Sequence, residues 1–364
     1  FSQTFASNGA LIRIYDPNTL VTLPDGTRQR SVFPGNVIPQ SRFDPVAAKA
    51  TGYLPSPNVT GSAVTGQSNY IYTAKSITNS DKYDVRSDVD FTENTRVFVR
   101  FSRQEDARIV PGNLPPPVGG GRVTSDHYTQ SMVDLTHVIT PTMVADVQFA
   151  FTRALAAQYG ASQGFDVSSL GFPASYVSQV VSQFPVFNIG DVVGTSNGSD
   201  SFTQFQPRNV FSTRGSLSYL HGKHSFKFGG EWRVLDFNEG QNTSASGTFS
   251  FGRTFTQGPN PVQSSATSGY GMASFLLGAA TSGTVRQINP ISTQGLYYAA
   301  FAQDDWRVND KLTLNIGLRW DVGIGDREKY NRLAFLDLNA PNPLGPAAGL
   351  PDLKGVLAWI GGDN

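Results

Sequence analysis

Residues 312–321 read LTLNIGLRWD, and the stretch alternates without a fault. Leu312, Leu314, Ile316, Leu318 and Trp320 share one face of an extended chain; Thr313, Asn315, Gly317, Arg319 and Asp321 share the other. A period of two marks a β-strand with one apolar and one polar side. The apolar side has to be covered, either by a second protein layer or by lipid.

The pattern recurs in pairs joined by very short turns. YDVRSDVDF at 83–91 sets Tyr83, Val85, Val89 and Phe91 against Asp84, Arg86, Asp88 and Asp90, and its partner RVFVRF sets Val97, Val99 and Phe101 against Arg96 and Arg100. SMVDLTHVI and MVADVQFAFTR flank TPT. There Val133, Leu135, Ala145, Val147, Phe149 and Phe151 oppose Asp134, Asp146 and Gln148, and Pro141 sits in the turn, where its missing donor costs nothing. FSTRGSLSYL and SFKFGGEWRV meet at HGKH, with Phe226, Phe228, Trp232 and Val234 opposite Ser225, Lys227, Glu231 and Arg233. GLYYAAFAQDDWRV precedes the opening strand, and the facing of 297–307 is left open by its sequence.

Between the pairs lie long polar stretches: 103–130 with PPPVGGGR, 154–210, and 235–295, where TFSFGRTF could add a strand through Phe249, Phe251 and Phe255. Short connections therefore alternate with long ones. The strands run near the 9–11 residues that a tilted strand needs to cross a bilayer. This is the plan of an antiparallel up-and-down transmembrane β-barrel, with short turns at one end and long loops at the other. It assigns Asp84, Arg86, Asp88, Asp90, Arg100, Asp146, Arg214, Lys227, Glu231, Arg233 and Arg319 to a wet lumen. It assigns Val97, Val99, Phe149, Phe151, Phe226, Phe228, Leu314, Ile316 and Leu318 to lipid, with Arg103 and Arg153 snorkelling from strand ends. Tyr83, Tyr219, Trp306 and Trp320 are expected near strand ends as an interfacial girdle. A soluble sandwich or propeller with one solvated face is the competing fold.

Residues 1–80 are rich in Pro and Gly, and only Asp44–Thr51 suits about two helical turns. This part is expected to be irregular and to dock on the strands, with barrel hairpins over 81–321. Residues 322–364 then supply a further loop and a short strand at AFLDL. The chain opens on Phe1 with no signal peptide in view, and it is expected to be an interior piece of a longer protein.

Composition excludes several functions. Lys+Arg and Asp+Glu are both 28, so no net field draws nucleic acid. Cysteine is absent, which removes disulfides, thiol nucleophiles and thiolate metal sites. The most apolar run, YGMASFLLGAATSG, is too short and broken for a membrane helix. Of His127, His137, His221 and His224, the last two share a turn with no carboxylate nearby in sequence, so they read as turn residues rather than metal ligands. Asp84, Asp88 and Asp90 could mimic a calcium site, but the intervening Arg86 points to charge balance. Asp304 and Asp305 are adjacent on a strand and face opposite ways, so they cannot act as a catalytic pair. With no phosphate loop, nucleophile elbow or dinucleotide fingerprint, no enzyme and no cofactor is expected.

YYAAFAQDDWRVNDKLTLNIGLRWD at 297–321 resembles the strand pair of TonB-dependent outer-membrane receptors, in which aromatic strands end in a D-x-W-[RK] step. HSFKFGGEWR at 224–233 and YNRLAFLDLNAPNP are similar to other segments of those barrels. FPGNVIPQSRFDPVAAK and SFLLG resemble the Oar-like, acidobacterial subgroup. The resemblance implies a 22-stranded barrel of which this chain is part, and import of a bulky nutrient through a plug-gated pore. It also implies energy supplied by the TonB complex through a plug domain that this sequence lacks. Outer-membrane lipid and an imported ligand would be the other partners. The alternatives are the same barrel used for adhesion or membrane organisation, and a soluble secreted β-protein that binds glycans.

Overall fold

The structure, a computed structural model, describes residues 1–192, 203–287 and 289–359. Eight long strands dominate it: β1 (Ile77–Thr92), β2 (Thr95–Pro111), β3 (Gly121–Thr140), β4 (Met143–Gly160), β5 (Thr203–His221), β6 (His224–Asn242), β7 (Ile291–Asn309) and β8 (Leu312–Glu328). Each pairs antiparallel with its neighbours in sequence order, giving an all-β, up-and-down sheet that stays open with β1 and β8 at its edges. The four hairpins are the four pairs read from the alternation.

The strands are 16 to 20 residues long, well beyond the 9–11 expected. The extra length lies at the long-loop end, where polar and apolar residues are mixed on both faces, as in RALAAQYG of β4, and no clean hydrophobic period remains to be read. β1 starts before residue 81, and β8 runs past Asp321 to Glu328.

The register carries a further geometric fact. Thr95, at the first turn, lies opposite His137, three residues short of the end of β3. Met143 lies opposite Tyr219, two short of the end of β5. His224 lies opposite Trp306, three short of the end of β7. Each hairpin is thus displaced from the last in the same sense. With a rise of about 3.3 Å per residue and strands about 4.8 Å apart, turns held at one level require the strands to tilt by about 40°. Barrels have tilts of this size.

The sheet carries almost no core of its own; the buried apolar side chains lie in the long connections. Ala47, Ala50, Leu114, Val118, Leu170, Phe184, Phe187, Ile189, Phe251 and Phe275 form one cluster, drawn from residues 1–76 and three loops. Ile12, Ile14, Phe33, Ile38 and Ala273 form the centre of a second. The first 76 residues therefore dock on the loops, not on the strands as expected, because the apolar side chains that meet theirs are supplied by the loops. They enter β1 at the long-loop end, so all of this packing builds one cap there. Within it the helix Pro45–Thr51 has Asp44 as its N-cap, accepting from Ala47 N at 2.9 Å, with Pro45 in the first turn. Thr248–Phe251 is the strand expected in TFSFGRTF; Arg253–Phe255 turns away as a 3-10 helix. AFLDL lies in the strand Ala334–Pro341, paired with Lys354–Trp359. No helix among the described residues is long and apolar enough to cross a membrane, a fact that does not bear on strands.

Candidate functional site: a two-faced sheet and its charged recess

Directly opposed residues share a face, so the register sorts every candidate. One row reads Val89, Val97, Leu135, Val147, Gly215, Gly230, Ala300, Trp320 across all eight strands. Val99, Phe149, Phe151, Phe226, Phe228, Leu314, Ile316 and Leu318 fall on that same face. Several are widely open to the surroundings, Leu318 at 77% and Val85 at 64%. The register also settles β7: Leu296, Tyr298, Ala300, Ala302, Asp304 and Trp306 join the apolar face.

The apolar run starts beside the short turns and lasts roughly ten residues per strand, which at this tilt rises about 25 Å, the height of a barrel's apolar band. Beyond it Asp81, Arg103, Glu105, Arg153 and Asp236 enter the same face. Tyr219 and Trp306 stand near the short turns. Tyr83 and Trp320 instead stand near the middle of β1 and β8, because those strands are longer than the apolar pattern reveals. They mark the far border of the apolar band rather than the strand ends.

One acid departs from this scheme. Asp304 lies on the apolar face opposite Phe226 and Ile316, and its Oδ2 is 2.7 Å from His224 Nδ1. The imidazole is stacked between Phe226 and Trp306, with centroids at 5.4 and 5.3 Å. The HGKH turn, read as lacking a nearby carboxylate, therefore gains one from a strand eighty residues on. No group of three or more metal-ligating side chains exists among the described residues.

The opposite face holds Asp84, Arg86, Asp88, Asp90, Arg100, Asp146, Arg214, Lys227, Glu231, Arg233 and Arg319. Most are paired along or across strands: Arg86 with Asp88 and Arg96 with Asp90, both at 2.7 Å, Arg100 with Asp84 at 3.1 Å, and Arg319 with Asp321 at 3.0 Å. Glu231 accepts from Arg233. Asp84, Asp88 and Asp90 are thus each held by a different guanidinium. Arg86 also lies over the Phe98 ring at 4.0 Å, a cation–π contact the alternation did not predict.

On this face Asp146, Arg214, Lys227, Glu231 and Arg319 meet around a recess of about 360 Å³, with Phe301 at its centre. Asp146, Ser216, Gly229, Phe301 and Arg319 form one row across β4 to β8. The Phe301 ring covers Gly229, where any Cβ would collide with it and with the Gly215 carbonyl. Sequence reading missed Phe301 because its strand had no clear facing; the unambiguous neighbours β6 and β8 would have fixed it.

The cap is braced by charge. Arg42 donates to both carboxylate oxygens of Asp16 at 3.0 Å, holding that carboxyl below its ordinary range. Asp191, at φ 71, accepts from Arg253 Nε at 2.9 Å and from Gly271 N at 3.1 Å. Burial pushes the Tyr176 phenol well up, and its hydroxyl donates to Ser246 O at 2.7 Å.

No curated protein matches the chain in sequence. Among solved structures it is similar to BauA, the ferric preacinetobactin receptor from Acinetobacter baumannii, with TM-score 0.36 and 12% identity, over 71% of this chain and 35% of that one. The chain thus spans about a third of that receptor's length. A family model described as an outer membrane beta barrel domain matches residues 1–362. The chain belongs to the outer membrane beta barrel domain family, and its place is the outer membrane.

Proposed function

We propose that this chain is barrel wall and external cap of a TonB-dependent transporter that imports a bulky nutrient, without covalent chemistry. The observation that carries the reading is the partition of faces: over eight strands one side is apolar for about a bilayer's height and the other is charged. The apolar side then meets lipid and the charged side lines the lumen, where Arg and Asp side chains act on the passing solute. The cap gathers the long loops where an external ligand arrives first. The resemblance of DDWRVNDKLTLNIGLRWD to TonB-dependent receptors supports the energised form of transport, and FPGNVIPQSRFDPVAAK supports the Oar-like subgroup. Hydrocarbon tolerates no open sheet edge, so in the membrane β1 and β8 must find partner strands. Membership of an outer-membrane family sets aside the soluble, glycan-binding alternative.

The test is growth of a deletion strain on limiting ferric chelates, cobalamin, oligosaccharides and peptides, beside a strain lacking the inner-membrane TonB complex. One nutrient on which both strains fail is expected. Normal growth of the deletion strain on every nutrient, with reduced attachment to surfaces, would establish the adhesion reading instead; the cap's two apolar cores are what favours that second reading.

A further inference from the structure

The cap holds a cleft of about 570 Å³ between the start of the chain and the loop after Arg253, within the size range of small-molecule sites. One wall is the extended segment 11–15. Arg13 N donates to Thr267 O and Gly269 N to Arg13 O, both at 2.9 Å, and on the other side Phe33 N donates to Ile14 O at 2.9 Å. Ile12 and Ile14 are buried in the second apolar core, so the alternation turns Leu11 and Arg13 outward. The facing wall is Asn260, Gln263, Ser264, Ser265 and Thr267. No Asp or Glu lines the cleft, and among the described residues the Arg13 side chain has no hydrogen-bond or ion-pair partner. The nearby acids are committed: Asp16 to Arg42, Asp191 to Arg253, and Asp25 to Thr27 N and Oγ1 in its own turn. Arg30 adds a further charge, since its Nη1 donates to the carbonyls of Thr254, Phe255 and Gln257 with no carboxylate against it.

Apart from that charge, the cleft offers hydroxyls and amides, which both donate and accept hydrogen bonds. It offers no bare ring: Tyr15 is 5% exposed and lies beneath Gly258, where a Cβ would collide with it. Past Leu11 and Arg13, which line both spaces, a second recess of about 510 Å³ runs over Val32 and Pro34. These features suit a ligand with many hydroxyls, a negative charge and more than one unit. Arg13 can hold a carboxylate by two parallel N–H bonds, and the amides and hydroxyls can exchange hydrogen bonds with those of a sugar. Val32 and Pro34 offer apolar surface to the C–H face of a second sugar ring. A bare inorganic anion uses only Arg13, and an aromatic acid leaves the hydroxyls and amides without partners. Resting on the reading of the cap as the surface where an external ligand arrives first, we propose that this cleft captures acidic oligosaccharides, of the uronic acid class. Such a site places the choice of nutrient in the cap, ahead of the pore.

The probe is trigalacturonate, titrated calorimetrically into the full-length protein purified from outer membranes in detergent. Maltotriose serves as the hydroxyls without the charge and inorganic phosphate as the charge without the hydroxyls. Saturable binding of trigalacturonate is expected, with both controls far weaker. Arg13→Gln should weaken it by about tenfold or more, because the charge-assisted hydrogen bonds are lost. The variant keeps its fold, since only the backbone of Arg13 is bonded within the cap. Ser264→Glu, at an exposed position, sets a carboxylate in the cleft and should weaken binding by a similar factor. Limited proteolysis at the wild-type rate confirms that each variant cap is folded. Equal binding of maltotriose or phosphate, an unchanged affinity in either variant, or no saturable binding of trigalacturonate would each overturn the proposal. Binding is measured without an energy source, so a positive result stands even if uptake proves independent of TonB. A TonB-linked growth defect with no trigalacturonate binding leaves transport intact and removes this site alone.

Discussion

His224 Nδ1 and Asp304 Oδ2 lie 2.7 Å apart on the apolar face of the sheet, joining a turn residue to a strand eighty positions later. On a face that meets lipid, a carboxylate without such a partner is costly. His224→Ala should destabilise the barrel by about 1–3 kcal/mol, the range for a buried polar group left unsatisfied. The pair His224→Phe/Asp304→Leu should recover most of that loss, because it removes both polar groups together. Urea unfolding of the purified barrel, followed by Trp fluorescence, gives the double-mutant cycle. Additive losses in the double variant would show that the two residues act independently.

Adjacent residues of β8 should respond in opposite ways. Ile316 is 59% exposed on the apolar face, whereas Asn315 points to the charged one. Ile316→Arg places a guanidinium in the hydrocarbon band at a cost of about 2–4 kcal/mol, and so does Phe228→Arg on β6. Asn315→Arg should be close to neutral. The assay is the folded fraction recovered from outer membranes. Equal yields of Ile316→Arg and Asn315→Arg would refute lipid contact on the apolar side.

The hairpins were legible because their apolar faces alternate without interruption, as at Leu314, Ile316 and Leu318. In a sheet with lipid on one side and water on the other, one face of each strand is apolar wherever it crosses, so a single sequence carries the signal. The strand ends were not legible: past Arg103 and Arg153 apolar residues fall on both faces, as at Ile109 and Val110 or Leu155 and Ala156, and a strand so mixed has no period to detect. Phe301 and the His224–Asp304 contact depend on which strand neighbours which, and the sequence of one strand does not contain that. The cap was the least legible part. Its cores join Ala47 to Leu114, Leu170 and Phe275 across four segments, and none of these segments is periodic enough to announce burial.

The cap should unfold separately from the barrel. Phe275 is 1% exposed and packs on Phe251 and Phe187, with centroids at 5.0 and 5.2 Å. Phe275→Ala should cost the cap about 3–5 kcal/mol. Gly271→Ala should also loosen it, since a Cβ there collides with the backbone of Gly190. In both variants limited proteolysis of intact cells should cut within 161–192 and 243–287, while the barrel keeps its heat-modifiable mobility. Loss of the barrel along with the cap would mean that the two parts fold as one unit.

Acid should loosen the cap through Asp16. Arg42 holds that carboxyl below its ordinary value of 3.8, so the folded state binds the proton less readily than the unfolded chain does. The stabilisation is therefore complete above about pH 4 and is lost as the pH falls through the lowered folded value. Asp16 is only 14% exposed at its side chain, while Arg42 is 32% exposed, so screening keeps the contribution to about 1 kcal/mol. Asp16→Asn removes the charge and most of the titration. At pH 7 the variant cap should be cut faster by protease than the wild type, and the two rates should converge as the pH approaches 3, read with an acid-tolerant protease such as pepsin calibrated on an unfolded substrate. A difference that persists undiminished to pH 3 would mean that the charge of Asp16 is not what holds the cap; the turn hydrogen bond from Asn18 N is kept in the variant, because the amide oxygen of Asn accepts it.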